Sequence, residues 1–236
     1  MYQIKNEIVY KLYFYRTKFV HMSQDLSDFR KSYEKGELLE QNCPENPIEL
    51  FSDWFLQADD SDTVDEANAM SISSIGFDGF PKTRVVLLKK YTHEGFIFYT
   101  NYNSEKGKAI LANSSVCLSF FWAGLERQII IKGKAEKITE NLSDGYFESR
   151  PDGSKLGAWA SNQSEVVENK QVLLDSLRKF ENQFKGKDIP RPKHWGGFIV
   201  KPVSIEFWQG RPNRLHDRIR YTLLKDFLWK LERLAP

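Results

Sequence analysis

Three turn signals, Phe77-Asp78-Gly79, Thr92-His93-Glu94-Gly95 and the turn around Gly124, divide the middle of the chain into short runs that read as strands. Residues 69–75 and 83–89 are predicted to form a hairpin, with 95–101 pairing next. A helix over 104–112 separates them from strands 115–122 and 127–138. Two further helical stretches, 142–149 and 165–184, lie on either side of the breaker Pro151-Asp152-Gly153. Strands resume at 197–208, 219–223 and 227–231. This succession predicts a mainly β, α+β fold: an antiparallel β-barrel with helices added late, rather than a doubly wound parallel sheet. No Gly-rich loop opens a helix after a strand, which disfavours a Rossmann dinucleotide site. Ahead of the strands, Asn46-Pro47 marks a helix start, because Asn can cap it and Pro suits the first helical position. Ile48, Leu50, Phe51, Trp54 and Phe55 then recur near the helical period.

Composition sets further bounds. At 236 residues, 41% hydrophobic and 14% aromatic, the chain can fill one sizeable core. Its 34 basic and 32 acidic residues leave a formal charge of +2, so no general field attracts nucleic acid or acidic membranes, and any anion site must be local. Cys43 and Cys117 lie far apart, lack metal-ligand spacing and sit in a chain too large to need a disulfide staple, which points to a reduced, cytoplasmic protein. His21, His93 and His194 show no ligand spacing with either cysteine, so no metal is expected. Nothing reaches the roughly 18 consecutive apolar residues of a membrane span. Residues 1–22 are aromatic and basic, with Lys5, Lys11, Arg16 and Lys18 against Glu7. They read either as a weak mitochondrial targeting segment or as an N-terminal extension.

The densest chemistry lies near the C-terminus. The run Ile205-Glu206-Phe207-Trp208-Gln209-Gly210 reads as a strand that spills into Arg211-Pro212-Asn213-Arg214-Leu215-His216-Asp217-Arg218. A packed strand ending in a Gly/Pro/Asn turn can hold polar side chains over a cleft. Arg offers a planar donor fork, His donates or accepts near neutral pH, and Trp gives a flat wall, a set suited to a planar anionic small molecule. On residue types alone, a solvated Arg-rich rim is an equal reading.

Trp208-Gln209-Gly210 followed by Asn213-Arg214-Leu215-His216-Asp217-Arg218 resembles the C-terminal signature of the pyridoxine (pyridoxamine) 5'-phosphate oxidases, flavoproteins that make pyridoxal 5'-phosphate. The resemblance runs from about Phe29 to the ending Glu232-Arg233-Leu234-Ala235-Pro236. It implies a split β-barrel binding flavin mononucleotide (FMN), assembled as a homodimer with two flavins in the clefts between subunits. Residues 1–45 would be an N-terminal extension and substrate lid, and 46–236 the oxidase domain. Flavin contacts implied by resemblance are Arg84, Val85, Val86, Leu87 and Leu88 on one strand, Tyr99 and Thr100 on the next, then Lys106, Gln128, Gln163, Ser164, Trp208 and Arg218. A helix N-terminus with a Lys, as in Ser104-Glu105-Lys106-Gly107-Lys108, is by itself a reasonable phosphate cradle. There the family usually places Arg-Lys. Glu105 puts an anion near the expected phosphate, which predicts weaker flavin affinity unless Glu105 turns away or pairs with Lys108.

For the substrate, the resemblance implies a phosphate clamp of Lys89, Tyr146, Arg150 and Ser154. Tyr146 and Arg150, four apart on a predicted helix, share a face. Arg214, Leu215 and His216 would hold the pyridine ring, with Arg214 and His216 the catalytic pair; two apart on an extended strand, those two side chains would point to one side. Arg30-Lys31-Ser32-Tyr33 resembles a segment that folds over bound substrate. The implied reaction is oxidation of pyridoxamine 5'-phosphate and pyridoxine 5'-phosphate at C4', with O2 as acceptor giving H2O2. Two other readings stay open: another split-barrel flavin oxidoreductase, and a catalytically weak carrier or sensor of flavin or pyridoxal phosphate.

Overall fold

The computed structural model describes residues 24–236, so the basic segment 1–22 lies outside the described residues. The chain divides into two compact units, Met1–Ser32 and Tyr33–Pro236. In the first, Ser27 N–H donates to Asp25 Oδ1 at 2.9 Å and Arg30 Nε to Ser27 O at 3.1 Å. The second holds all the elements below.

Helix α1, Pro47–Asp59, starts as its sequence dictates: Asn46 Oδ1 accepts from Ile48 N–H at 3.0 Å and Pro47 fills the first position. Strands β1 (Ala69–Ile75), β2 (Pro81–Thr92) and β3 (Gly95–Asn101) form an antiparallel meander. After helix α2 (Glu105–Ala112) come β4 (Ser115–Trp122) and β5 (Arg127–Lys137). Three helices follow, α3 (Glu140–Glu148), α4 (Asp152–Ala160) and α5 (Lys170–Phe184). The chain ends in β6 (Trp195–Gln209), β7 (Asp217–Leu223) and β8 (Trp229–Arg233).

The sheet order is β3-β2-β1-β4-β5-β6-β7-β8, and β3 also pairs with β6. That last pairing closes six strands into a barrel and leaves β7 and β8 as a flap. One 15-residue strand, β6, does both jobs: Trp195–Val200 pairs with β3, and Ser204–Gln209 with β7. Alternation in β4 (exposed, buried, in turn) marks a strand with one face in the barrel core. By contrast β3 is buried almost throughout, as expected of a strand covered on both faces. Phe51 of α1 is fully buried, 4.8 Å from the Phe96 ring and 5.3 Å from Phe120, so α1 is pinned to β3 and β4. Truncating such an aromatic costs about 3–5 kcal/mol.

Four sequence expectations are corrected. Pro151-Asp152-Gly153 does separate two helices, α3 ending at Glu148, but the stretch after it, where no helix was expected before 165, forms α4 from Asp152. The long helix starts at Lys170, capped by Asn169, rather than at 165. Arg150 lies just beyond the end of α3. The final strand begins at Trp229, because Phe227 sits at φ 64° in the turn.

Candidate functional site

A cavity of about 670 Å3 lies on the flank of the barrel, lined by β2, β3, α2, the α3–α4 junction and the segment before α5. Its wall includes Val85, Val86, Leu87 and Lys89, then Tyr99 and Thr100, Lys106, Tyr146, Arg150, Ser154 and Gln163. The expected flavin and substrate residues of these segments therefore share one space. Three cations face it, and no carboxylate lines it.

Local sequence explains each placement. The β2–β3 register slips between Leu88 and Lys90, so Lys89 is the extra residue of a bulge, a device that re-aims a side chain at a sheet rim. Ser104 caps α2 with its hydroxyl, which accepts from Gly107 N–H at 3.1 Å and donates to Asn101 O at 2.7 Å. Gly107 is required: a Cβ there would lie 2.5 Å from the carbonyl oxygens of Asn101 and Tyr102. This tight turn sets Lys106 against β3, where its Nζ donates to Thr100 Oγ1 at 3.0 Å and to Gln163 Oε1 at 3.2 Å. Burial, and then the nearby Arg84 charge, lower the Lys106 pKa from its ordinary value.

The far wall is aromatic. Tyr99 stacks on Tyr146 at 4.0 Å and on Trp195 at 5.5 Å, and the Arg150 guanidinium lies 4.5 Å from the Trp195 ring. Arg150 Nη1 is buried and has no hydrogen-bond partner among the described residues. Burial lowers the Arg150 pKa, opposed by Tyr146. A partly buried guanidinium with one unpartnered nitrogen, lining the same cavity as Ser154 and Tyr146, suits a phosphate. The flat wall of Tyr99 and Trp195 with aliphatic Val85 and Leu87 suits a planar ring, so the residues present fit a flavin nucleotide and a phosphorylated pyridine. Trp195 was not anticipated; it opens an apolar strand and carries no polar signal.

The remaining expected residues do not line this cavity. Leu88 points into the core at 4% exposure, and Ser164 sits at φ 76°. Gln128, Trp208 and Arg218 are neighbours in register across β5, β6 and β7. Gln128 donates to Ser119 Oγ at 3.1 Å, while Arg218 donates to Glu206 and to Ala235 O. His216 packs 4.8 Å from Trp208 and 5.7 Å from Tyr33, and its Nδ1 accepts Arg211 N–H at 3.1 Å. The expected extended strand through Arg214 and His216 is not formed. Arg214 ends a 3-10 turn at Pro212–Arg214, with Asn213 and Arg214 at φ 57° and 61°, and Arg214 and Leu215 are exposed. Arg30, Lys31 and Ser32 belong to the first unit and Tyr33 begins the second.

Glu105 does not pair with Lys108 but takes Lys82 and Arg84, the latter an expected flavin contact. Its carboxylate takes Lys82, which also bridges Asp78 at 3.0 Å, and accepts from Arg84 Nη2 at 3.2 Å. The Lys82 bond lowers the Glu105 pKa, with burial opposing it.

Among the described residues no group of three His, Cys, Asp or Glu could hold a metal ion, and no helix is long and apolar enough to cross a membrane. Both cysteines are free.

A closed six-stranded barrel with a cationic, aromatic-walled cavity on its flank places the molecule among the split-barrel proteins. Residues 58–184 match the family described as pyridoxamine 5'-phosphate oxidase, and residues 195–236 the pyridoxine 5'-phosphate oxidase C-terminal dimerisation region. The chain is 67% identical to a pyridoxine/pyridoxamine 5'-phosphate oxidase of Flavobacterium psychrophilum, over 90% of this chain and all of that one. It is 64% identical to the same-named protein of Flavobacterium johnsoniae, over 89% of this chain and 99% of that one. Among solved structures, PhzG of Burkholderia lata in complex with tetrahydrophenazine-1-carboxylic acid superposes with TM-score 0.79 at 26% identity, covering 86% of this chain and all of PhzG. The chain belongs to the pyridoxine/pyridoxamine 5'-phosphate oxidase family.

Proposed function

We propose that the protein is an FMN-dependent oxidase converting pyridoxamine 5'-phosphate and pyridoxine 5'-phosphate to pyridoxal 5'-phosphate. The observation that carries this reading is one cavity whose lining brings together Lys89, Arg150 and Lys106 with no carboxylate among its described lining residues. When bound, FMN supplies two-electron acceptance from substrate C4' and the return of those electrons to O2 as H2O2. Lys106, Thr100 and Gln163 hold the flavin, and Val85 to Leu87 give it an aliphatic bed. Lys89, Tyr146, Arg150 and Ser154 clamp the substrate phosphate, fixing one end of a small ring so that C4' is presented in one orientation. Tyr99 and Trp195, stacked with Tyr146, exclude water from that end.

The second cluster, Gln128, Trp208, Arg214, Leu215, His216 and Arg218, is supplied by the partner subunit of a homodimer. Its position outside the cavity supports this, as does the match of residues 195–236 to a dimerisation region. Arg214 and His216 then hold the pyridine ring, under a lid formed by Arg30, Lys31, Ser32 and Tyr33. On this reading 1–45 is extension and lid, and 46–236 the oxidase domain.

The test is aerobic turnover of pyridoxamine 5'-phosphate with and without added FMN, following pyridoxal 5'-phosphate and peroxide together. Equimolar formation of both is expected. No product at saturating FMN by folded protein overturns the reading in favour of a carrier or sensor.

A further inference from the structure

Glu126 is a carboxylate with 2% exposure, and its backbone sits in the left-handed region at φ 57°. Burying a carboxylate and holding a non-glycine residue in that conformation both oppose folding. Both are used here. The Glu126 carbonyl accepts Gly210 N–H at 2.8 Å and Gln209 Nε2 at 3.2 Å, locking the residue to the end of β6. Its Oε2 accepts the N–H groups of Glu34 at 2.7 Å and Lys35 at 3.0 Å. One oxygen thus fixes two consecutive amides of the segment that starts with Tyr33. Gly210 completes the seat, since a Cβ there would lie 2.7 Å from Tyr33 Cγ and 3.2 Å from Glu126 Cβ. The seated Tyr33 ring contacts Trp208 and His216, each at 5.7 Å between centroids.

We propose that Glu126 is a positioning residue, the latch whose carboxylate seats the 33–36 segment and so holds Tyr33 against His216 for substrate binding, an assignment that rests on the function proposed above. It is not among the residues that line the cavity. Charge matters because an ionised oxygen takes two N–H bonds at once, where an amide oxygen is a weaker acceptor. The latch acts on substrate retention, not on the oxidation step, so its loss separates KM from kcat.

The experiment measures two quantities on FMN-loaded wild type, Glu126→Ala and Glu126→Gln: KM and kcat for pyridoxamine 5'-phosphate, and the rate of trypsin cleavage after Lys31 and Lys35 by mass spectrometry. In Glu126→Ala, KM and cleavage each rise about tenfold, with kcat changed by less than about threefold. Glu126→Gln, which keeps an acceptor oxygen, lies between Ala and wild type, and it decides the matter against wild type if the Ala variant does not fold. A rise in cleavage with KM unmoved would make the carboxylate purely structural and overturn the proposal. So would a rise in KM with cleavage unmoved, or no change in either. Wild type without turnover defeats the proposed function instead, and a working wild type with unresponsive variants defeats the latch alone.

Discussion

Arg84 Nη2 lies 3.2 Å from Glu105 Oε2, so the one carboxylate at the start of α2 engages a guanidinium expected to serve the flavin. The pair is exposed and its strength is limited by solvent, but its effect on an incoming phosphate is direct. Replacing Glu105 by Arg removes the anion and releases Arg84. We expect the FMN dissociation constant of Glu105→Arg to fall about three- to tenfold at low salt, with the gain shrinking as ionic strength rises. Isothermal titration of apoprotein reads this directly, and an unchanged constant would show that Glu105 does not weaken the cradle.

Arg150 carries a buried nitrogen without a partner among the described residues, and on the proposed function that nitrogen meets the substrate phosphate. Arg150→Met should therefore raise KM for pyridoxamine 5'-phosphate by about tenfold or more while leaving Tm of the apoprotein equal to or above wild type. A drop in Tm with KM intact would assign Arg150 to the core instead.

His216 Nδ1 accepts a backbone N–H, so the neutral ring carries its proton on Nε2. Burial first, and then Arg214, hold its pKa below the ordinary 6.5, with Asp217 pulling it upward. The unfolded ring binds its proton first as pH falls. Any stability linked to this group is therefore present above the ordinary value and lost as pH drops through the folded one. NMR titration of the ring should give a midpoint below 6.5 that moves up in Arg214→Ala. In turnover, His216→Ala should lower kcat more than it changes KM, the opposite pattern to Arg150.

Mixing subunits tests whether the two clusters meet across a dimer. Arg150→Ala and His216→Ala homodimers would each carry one lesion in both sites. A mixed dimer concentrates both lesions in one site and leaves the other intact, so random reassembly should restore about a quarter of wild-type activity. Activity no higher than the parents' would place all the residues of a site on one chain.

Gly210 offers a steric probe of the strap that leaves all charges in place. Gly210→Ala forces Tyr33 aside, and we expect a KM increase of several-fold with FMN affinity unchanged. Fluorescence titration with FMN beside steady-state kinetics separates the two.

Much of the barrel was legible locally. Residues 95–101 and 115–122 coincide with β3 and β4 because turn residues bound them on both sides. The closure of β3 on β6 was not, since it pairs Phe96 with Val200, about a hundred positions apart, and no local pattern encodes that. At the site, Lys89, Tyr146, Arg150 and Ser154 do share a space, although Arg150 reaches it from beyond the helix expected to carry it. The same-side argument for Arg214 and His216 failed because Asn213 and Arg214 adopt positive φ, a turn that residue types permit but do not announce. Glu126 gave no signal either. A single Glu in a turn looks solvated until the N-terminal segment is known to lie over it.

The last strand also fastens the first described segment of the barrel unit. Arg233 donates to Leu38 O at 2.8 Å and binds Glu40 and Asp217, while Asp217 accepts Leu38 N–H at 3.0 Å. During synthesis, Leu38 and Glu40 leave the ribosome roughly two hundred residues before Asp217 and Arg233. The Leu38–Glu40 stretch therefore gains these contacts only once Arg233 has emerged. Loss of β8, far from the cavity in sequence, would strip Leu38 and Glu40 of their Arg233 contacts.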